Sequence, residues 1–367
     1  MIFVLCLLLL LAYAWLGYPL LLRGLAGRRP DHVAPALTEP PPVAVLIAAH
    51  NEERHIRQRL ENILALDYPR DRITILLGLD GCTDRTAAMA REFAAGHPNV
   101  HVHEGHERRG KVAVLKDLVA VSTASILVFT DANTEFQPDA VAKLAAHLAD
   151  PSVGGVCGRL LFRNSREDAQ NTQKDSESAY WDLESSMKQW ESRLDSCLGA
   201  NGAIYAVRRK LFWSEIPDNA IIDDFVVGMK VREQGVRMIF EPGAVAEEDL
   251  PDPAHEWTRR VRIGAGAYQA LGWCRRCLLP RYGVFAWCFL SHKVLRWLTP
   301  HMLLLAAVLL AWQLRHDPVL IVVFAFAAAA LALRPLRYLA LMQAALLIGF
   351  YRFCRGNLQG AWTRTPR

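Results

Sequence analysis

The chain places long apolar runs at both ends of a polar, patterned middle. Residues 2–22 carry no charge, and residues 299–351 are again mostly apolar, with only short charged interruptions. A run of about 20 apolar residues is long enough to cross the hydrocarbon core of a bilayer. The pattern therefore predicts an N-terminal transmembrane anchor over 1–25, a working domain over 40–280 and C-terminal transmembrane segments over 299–352.

The middle of the chain alternates between strand-like and helix-like patterns. Mostly apolar runs predict strands at 43–48 and 73–79, a uniformly apolar run predicts a strand buried on both faces at 126–129, and residues 100–103 predict a short strand. Between them, apolar residues recur at helical spacing, as at Ile56, Leu60, Ile63 and Leu64. Such alternation predicts an α/β fold with a doubly wound, mostly parallel sheet and right-handed crossovers.

Three later segments extend this scheme. Residues 166–196 and 223–235 predict helices, and Gly235 is a typical C-cap for the second. The glycine-rich stretch 199–212 predicts a turn that enters a strand, and 236–242 predicts one further strand. We also expect the helix that follows Asp80 to be capped near residues 83–84.

Acidic side chains stand where predicted strands end and a predicted helix begins. Asp80 ends one strand, Asp131 ends another and is followed by Asn133, and the pair Asp223 and Asp224 opens a helix. Each alone is compatible with an ordinary turn or helix cap. Parallel strands of an open α/β sheet bind ligands beyond their carboxyl ends, so Asp80 and Asp131 can converge on one ligand.

Basic residues complement these acids. Lys111 follows Gly110 at a predicted helix start, where backbone N–H groups favour anions. Arg259 and Arg262 are three residues apart and share a helix face, although a basic face beside a membrane would explain them equally well. Carboxylates that hold a divalent metal, together with cations, form the set that a nucleoside diphosphate requires.

The order of the motifs resembles that of family-2 glycosyltransferases, in particular the membrane-embedded cellulose-synthase-like and poly-N-acetylglucosamine-synthase-like branch. The resemblance covers about residues 40–270 and rests on AAHNEE, LDGCTDRT, GK at 110–111, TDANTEFQPD, GANGAIYAVRR, DDF and RRVRI. It implies a GT-A fold, a UDP-sugar donor, a divalent metal (magnesium or manganese) and inverting transfer to a hydroxyl acceptor, either a hexose or an N-acetylhexosamine.

The resemblance also implies roles for single residues. Glu52 and Asp80 would hold the uridine end of the donor, and Asp224 would be the catalytic base, with Asp223 beside it. Other implied positions are Asp131 and Asn133 for the metal, Asp131, Lys111, Arg260 and Arg262 for the nucleotide sugar, and Asn201 and Gly202 on the acceptor side.

Two departures from the family pattern bear on these expectations. Asn133 replaces the usual second aspartate, which predicts a weaker hold on the metal. Ile263 replaces the tryptophan associated with a growing glycan, which leaves processive synthesis open. The alternatives are polysaccharide synthesis, transfer of a single sugar to a lipid carrier or glycolipid, and an inactive scaffold or binding protein of the same fold.

The charges around the apolar runs bear on location. No positive charge precedes residues 2–22, whereas Arg23, Arg28 and Arg29 follow them. This order favours a retained anchor over a signal peptide cleaved after Ala14. By the positive-inside rule, the catalytic domain then faces the cytoplasm at the inner (plasma) membrane of a bacterium. The net charge of +5 is mild and suits membrane lipids better than nucleic acid.

The C-terminal part has a less certain pattern. His292, Lys293 and Arg296 lie among aromatic residues, which predicts an interfacial helix over 282–298. Apolar segments at about 299–315, 318–333 and 336–351 precede a basic tail, 353–367. Three full spans would place this tail outside the cell, so we expect one segment to be re-entrant or interfacial.

Overall fold

A computed structural model describes residues 2–37, 39–163, 172–249, 253–316, 319, 332–356 and 358. These residues form two compact units. The α/β unit holds the described residues from 26 to 249, and the helical unit holds those up to 25 together with those from 253 to 358. The working domain expected over 40–280 is therefore divided, because residues 253–280 belong to the helical unit.

The α/β unit consists of strands and helices in the order that the sequence pattern predicts for its first half. Its elements are β1 (Val43–Ala49), α3 (Ile56–Leu64), β2 (Ile73–Asp80), α4 (Thr86–Ala95), β3 (Val100–Gly105), α5 (Lys111–Val121), β4 (Ile126–Asp131), β5 (Glu135–Phe136), α6 (Ala140–His147), β6 (Val153–Phe162), α7 (Thr172–Leu194), β7 (Tyr205–Arg208), α8 (Asp223–Glu233) and β8 (Arg237–Glu248). The expected helix over 166–196 corresponds to α7, and its first residues lie outside the described ones.

The eight strands form one sheet in the order β3-β2-β1-β4-β7-β6-β8-β5. β3, β2, β1 and β4 are parallel neighbours. β7 is antiparallel to both β4 and β6, β8 is parallel to β6, and β5 is antiparallel to β8. The sheet is thus mixed, and the expected parallel winding describes its first half.

In the first half of the sheet, the buried positions match the hydrophobic pattern of the sequence. Every residue of β1 is buried, as its uniformly apolar sequence predicts for a strand covered on both faces. On α3, Ile56, Leu60 and Ile63 are buried at helical spacing. The start of α4 differs slightly from the expectation. It begins at Thr86, whose backbone N–H donates to the Asp84 carboxylate at 2.9 Å.

The helical unit is built from long, apolar helical segments. They are α1 (Ile2–Ala12), a π-helical turn (Tyr13–Gly17), α2 (Tyr18–Ala26), α9 (Pro253–Cys274), α10 (Val284–Cys288), a second π-helical segment (Phe289–Val294), α11 (Leu295–Gln313) and α12 (Arg334–Cys354). Among the described residues, Ile2–Ala26 and Val284–Gln313 are long and apolar enough to be candidate membrane spans.

Two boundaries expected in this region differ from the structure. The helical run Val284–Gln313 continues through the boundary expected at 298/299, with Pro300 inside α11. α9 packs against α12 rather than ending the sheet domain, because glycines allow their backbones to approach closely. A Cβ at Gly349 would lie 2.6 Å from the Ala265 nitrogen. Most of the segment expected over 318–333 and most of the basic tail lie outside the described residues.

Candidate active site

The carboxyl ends of three parallel strands carry the acidic residues. β1 pairs with β2 on one side and with β4 on the other, with Ala49 opposite Leu79 and Ala48 opposite Asp131. Asp80 and Asp131, the last residues of β2 and β4, therefore flank β1 at one edge of the sheet. This arrangement is the one that the strand pattern predicts, and it forms the frame of the site.

Asp80 holds the loop that leads to Lys111. The Asp80 carboxylate is fully buried and accepts backbone N–H groups from Arg109 at 2.7 Å and Gly110 at 2.9 Å. Hydrogen bonds to a charged group contribute about 1.5–3 kcal/mol each. Gly81 has a φ of +58°, and a Cβ there would lie 2.9 Å from the Arg108 nitrogen, so the loop passes too closely for a larger residue.

Lys111 is the first residue of α5, and its ammonium group donates to Asp131 Oδ1 at 2.7 Å. Gly110, the N-cap, has a φ of +95°, which glycine adopts at little cost. Burial lowers the pKa of Lys111, but the carboxylates of Asp131, Asp223 and Asp224 raise it by more. The lysine is therefore a permanent positive charge in the site.

Gly202 marks the point around which these groups meet. A Cβ built on Gly202 would lie 3.4 Å from Asp224 Oδ2, 3.6 Å from Lys111 Nζ and 3.7 Å from Asp131 Oδ2. Two carboxylates and an ammonium group thus surround one small space that a side chain at this position would fill. Of the residues predicted from the sequence, Lys111, Asp131, Gly202 and Asp224 are brought together here.

The two aspartates that begin α8 have different surroundings. Asp224 is half-buried, faces the space at Gly202 and accepts the N–H of Phe225 at 2.8 Å through Oδ1. Asp223 is buried, and burial raises its pKa to about 6, with the charges of Asp224 and Asp131 adding to the rise and Lys111 opposing it. Of the two carboxylates, Asp224 is therefore the one that faces the space at Gly202.

Other predicted residues lie near the ends of the strands with contacts of their own. Glu52 is buried and accepts a hydrogen bond from His55 Nδ1 at 2.8 Å, and its backbone N–H donates to Thr86 Oγ1 at 2.7 Å. Asn201 Oδ1 accepts the N–H of Ala203 at 3.0 Å, which shapes the turn that carries Gly202. Asn133 is half-buried in the turn after β4.

Arg260 and Arg262 lie on α9, in the helical unit. Arg260 pairs with Glu256 at 2.7 Å, donates to the Tyr338 hydroxyl at 2.8 Å and contacts Met342. Neither arginine belongs to the α/β unit, and donor binding by these two residues therefore stays a prediction based on the family resemblance.

The oxygen ligands at the site suit a metal ion that takes its remaining ligands from the substrate. No group of three or more His, Cys, Asp or Glu side chains that could hold a metal ion occurs among the described residues. Asp131 Oδ2 faces the space at Gly202, and Asn133 follows two residues later. One carboxylate and one amide fit a magnesium-type ion that takes its remaining ligands from diphosphate oxygens and water.

One buried cation near the site was not anticipated. Arg59, on α3, is 1% exposed and donates to Thr130 Oγ1 at 2.8 Å and to Asn62 Oδ1 at 2.5 Å. Burial lowers its pKa to about 9, against the opposing charges of Glu135, Asp131 and Glu248. The sequence did contain an indication, because Arg59 stands on the apolar face of its helix.

Comparison with known proteins places the chain among sugar-transferring enzymes. Residues 40–263 match a family described as Glycosyltransferase like family 2. The chain is 27% identical over 241 residues to the probable glycosyltransferase YdaM of Bacillus subtilis, covering 63% of this chain and 56% of that protein. It is 27% identical over 237 residues to the poly-beta-1,6-N-acetyl-D-glucosamine synthase of Staphylococcus aureus (strain COL), covering 62% and 55%. The chain spans about half the length of these curated relatives.

One solved structure is similar over nearly the whole chain. It is a mannosyltransferase from Pyrobaculum calidifontis in complex with GDP-Man and Mn2+, with a TM-score of 0.76 and 26% identity. The similarity covers 96% of this chain and 99% of that one. The α/β fold of GT-A type predicted from the sequence is thereby confirmed, as is the predicted family.

Proposed function

Because the chain belongs to glycosyltransferase family 2, which its residues 40–263 match, we propose that it is a membrane-anchored inverting glycosyltransferase with a UDP-sugar donor. Its acceptor is a hydroxyl group of a glycan or of a lipid-linked sugar. The observation that carries this proposal is the meeting of Asp131, Lys111 and Asp224 around the open space at Gly202. A base, a cation and a diphosphate-binding carboxylate in one cleft are what direct sugar transfer requires.

The transfer proceeds as a single displacement. The acceptor oxygen forms a bond to the anomeric carbon while the bond from that carbon to the diphosphate breaks. The hydroxyl proton passes to the Asp224 carboxylate, and the bonding electrons leave with the nucleoside diphosphate. Attack from the face opposite the leaving group inverts the anomeric configuration.

The charge that develops on the leaving diphosphate needs compensation. Lys111, held in its cationic form by the surrounding carboxylates, supplies a positive charge beside Asp131. A divalent metal held by Asp131 and Asn133 supplies further positive charge when bound. Asp80, for which the resemblance implies contact with the uridine end of the donor, also holds Lys111 in place through its two hydrogen bonds to the 109–110 backbone.

A GDP-sugar is the second candidate donor. The mannosyltransferase that resembles this chain over nearly its whole length is in complex with GDP-Man, whereas the S. aureus relative is named as a synthase of an N-acetylglucosamine polymer. The groups that would contact the diphosphate are the same for either nucleotide. The two candidate donors therefore differ in nucleobase and sugar, and an assay that offers both distinguishes them.

The decisive assay offers purified full-length protein a panel of UDP-sugars together with GDP-mannose and measures released nucleoside diphosphate. We expect release from one UDP-sugar in the presence of an acceptor. Release from GDP-mannose alone would select the second candidate. Product size on a gel separates polysaccharide synthesis from transfer of one sugar, and no release from any donor would favour an inactive scaffold.

Metal dependence is a further expectation of this proposal. Chelator should abolish transfer, and magnesium or manganese should restore it. Asn133→Asp adds a second carboxylate and should lower the metal concentration needed for half-maximal rate. Full activity in chelator would exclude Asp131 and Asn133 as metal ligands.

Retention in a membrane is also part of the proposal. It is supported by the apolar helix Ile2–Ala26 and by the arginines at its C-terminal end. The protein should remain in the membrane fraction after an alkaline wash, and the α/β unit should resist protease added outside intact cells. A mature N-terminus that begins after Ala14 would contradict the anchor.

A further inference from the structure

Lys188 lies on α7, and its ammonium group contacts three successive carbonyl groups. Nζ donates to the carbonyl oxygen of Gly199 at 3.1 Å, of Ala200 at 3.3 Å and of Leu198 at 3.5 Å. A lysine ammonium group has three N–H donors, so one side chain can donate a hydrogen bond to each of the three oxygens. Carbonyls that converge on one cation fix the course of the backbone that bears them.

A second side chain of α7 supports the same segment. Glu191, three residues after Lys188 and on the same helix face, is fully buried and accepts the N–H of Leu198 at 3.2 Å. Burial lowers the pKa of Lys188, but Cys157 and Cys197, followed by Glu191 and Asp224, raise it by more. The lysine therefore stays charged, and α7 holds the segment 198–200 from one side.

The other side of this segment packs against the start of α8. Gly199 has a φ of +69°, and a Cβ there would lie 2.9 Å from the Phe225 Cα atom. A Cβ at Gly228 would lie 2.7 Å from the Ala200 nitrogen, and that nitrogen donates to the Asp224 carbonyl at 3.3 Å. The segment is therefore fixed between Lys188 and the helix that bears Asp224.

We propose that Lys188 is a positioning residue for sugar transfer. By holding the carbonyls of 198–200, it sets the position of Gly202, two residues further on, relative to the Asp224 carboxylate. Lys188 acts through the backbone and does not contact substrate. The inference rests on the proposed function, in which Asp224 accepts the proton of the acceptor hydroxyl.

This role predicts a specific kinetic pattern. Lys111 and Asp131, which face the donor diphosphate, come from α5 and β4 and do not depend on the 198–200 segment. Loss of the Lys188 charge should therefore misplace the acceptor side and spare donor binding. Small misplacements of reacting groups reduce turnover strongly, so we expect kcat to fall by at least about tenfold. The donor KM should change by less than about threefold, because the contacts that bind the donor equally in the ground state and the transition state are retained.

The test uses full-length protein with Lys188→Met, which removes the charge and keeps the side-chain length. Steady-state kinetics give kcat and the donor KM, and calorimetry with UDP gives nucleotide affinity. Lys143→Met is the matched control, because the Lys143 ammonium also donates to a backbone carbonyl, that of Gly243 at 2.9 Å. The control should keep wild-type kcat.

Lys188→Gln is the second variant, because its neutral amide is polar and disturbs folding less than methionine but has only two N–H donors for the three carbonyl groups. The proposal requires both folded variants to lose kcat while retaining UDP affinity. Wild-type kcat in either folded variant would overturn it, as would a parallel loss of UDP affinity or failure of both variants to fold. Wild-type protein without transfer activity would instead refute the proposed function.

Discussion

Gly202 leaves open the space that Asp131, Lys111 and Asp224 surround. The contacts that a methyl group would make there, at 3.4–3.7 Å, are ordinary van der Waals distances. Gly202→Ala should therefore fold with nearly wild-type stability while its methyl group occupies space that substrate needs. We expect kcat/KM to fall at least about tenfold, equivalent to about 1.4 kcal/mol of transition-state stabilisation.

Gly228→Ala provides the comparison for this variant. Its Cβ would lie 2.7 Å from the Ala200 backbone nitrogen, so it should lower the unfolding temperature clearly. Thermal unfolding and steady-state kinetics of both variants check the prediction. A fully active Gly202→Ala enzyme would show that substrate does not enter this space.

Asp223 gives the site a pH-dependent stability. Its folded-state pKa of about 6 lies above its ordinary value of 3.8, so the folded state binds this proton more tightly than the unfolded state. The stability it contributes is present below about pH 4 and is lost as pH rises through about 6. Asn cannot ionise, so the unfolding temperature of Asp223→Asn relative to wild type should rise between about pH 4 and 6 and level off above about pH 7.

A surface aspartate controls for general charge effects. Asp218 pairs with Lys116 in an exposed position, and Asp218→Asn should show no comparable trend. Unfolding temperatures of wild type and both variants, measured across this pH range, test the prediction. A difference between Asp223→Asn and wild type that does not vary with pH would contradict the burial of an ionisable Asp223.

The sequence predicts the acids and the lysine of the site but not their buried supports. Asp80, Asp131 and Lys111 stand at strand and helix boundaries, and the topology of parallel strands brings such positions together. Arg59 and Lys188 lie inside helices, and each contacts backbone or side-chain groups outside its own helix. Arg59 reaches Thr130, and Lys188 reaches the 198–200 segment. Helical periodicity gives the face of such a residue but not the loop that it contacts.

Among the connecting segments, the one before β1 is tied to the α/β unit by two polar clusters. Asp31 accepts from Arg193 at 2.6 and 2.8 Å and from Gln189 at 3.2 and 3.3 Å. His32 forms hydrogen bonds with His147 and with Asp150, both at 2.9 Å. These contacts are the described polar ties of residues 31–32, so we expect this segment to be ordered through side chains rather than through secondary structure.

The combined variant Asp31→Asn and His32→Ala tests this attachment. Backbone amides in residues 29–37 should exchange with solvent faster than in wild type, while those of β1 keep their protection, because β1 is held by the sheet. Asp182→Asn, which removes an exposed pair with Arg159, serves as the control. Unchanged exchange in the combined variant would show that other contacts order the segment.

The second half of the sheet could not be predicted in the same detail. β5 and β7 have two and four residues, too few to show a period of two. The strand direction in this half is set by the long connection through α7, which places β7 antiparallel to β4 and β6. The assignment of α9 to the helical unit depends on its glycine contacts with α12, which hydrophobic periodicity does not reveal.

The described chain combines an α/β unit, which holds most of the part that matches the family, with a helical unit that has two candidate spans. Its similarity to a mannosyltransferase extends over 96% of the residues, well beyond the part that matches the family. Residues of both units therefore lie within the part of the chain that resembles the mannosyltransferase structure. The assay of released nucleotide identifies the donor, and product size identifies the kind of acceptor reaction.

The central claim is that Asp224 takes the proton of the acceptor in direct sugar transfer, and its replacement by asparagine tests it most directly. Asp224→Asn keeps the volume and removes the basicity, so nucleoside diphosphate release should slow by about 10²–10⁴-fold. UDP affinity should remain, because Lys111 and Asp131 are unchanged. Asp223→Asn, measured in parallel, should reduce the rate less. If Asp224→Asn releases nucleotide within a few-fold of the wild-type rate, or loses UDP affinity along with turnover, then Asp224 is not the base.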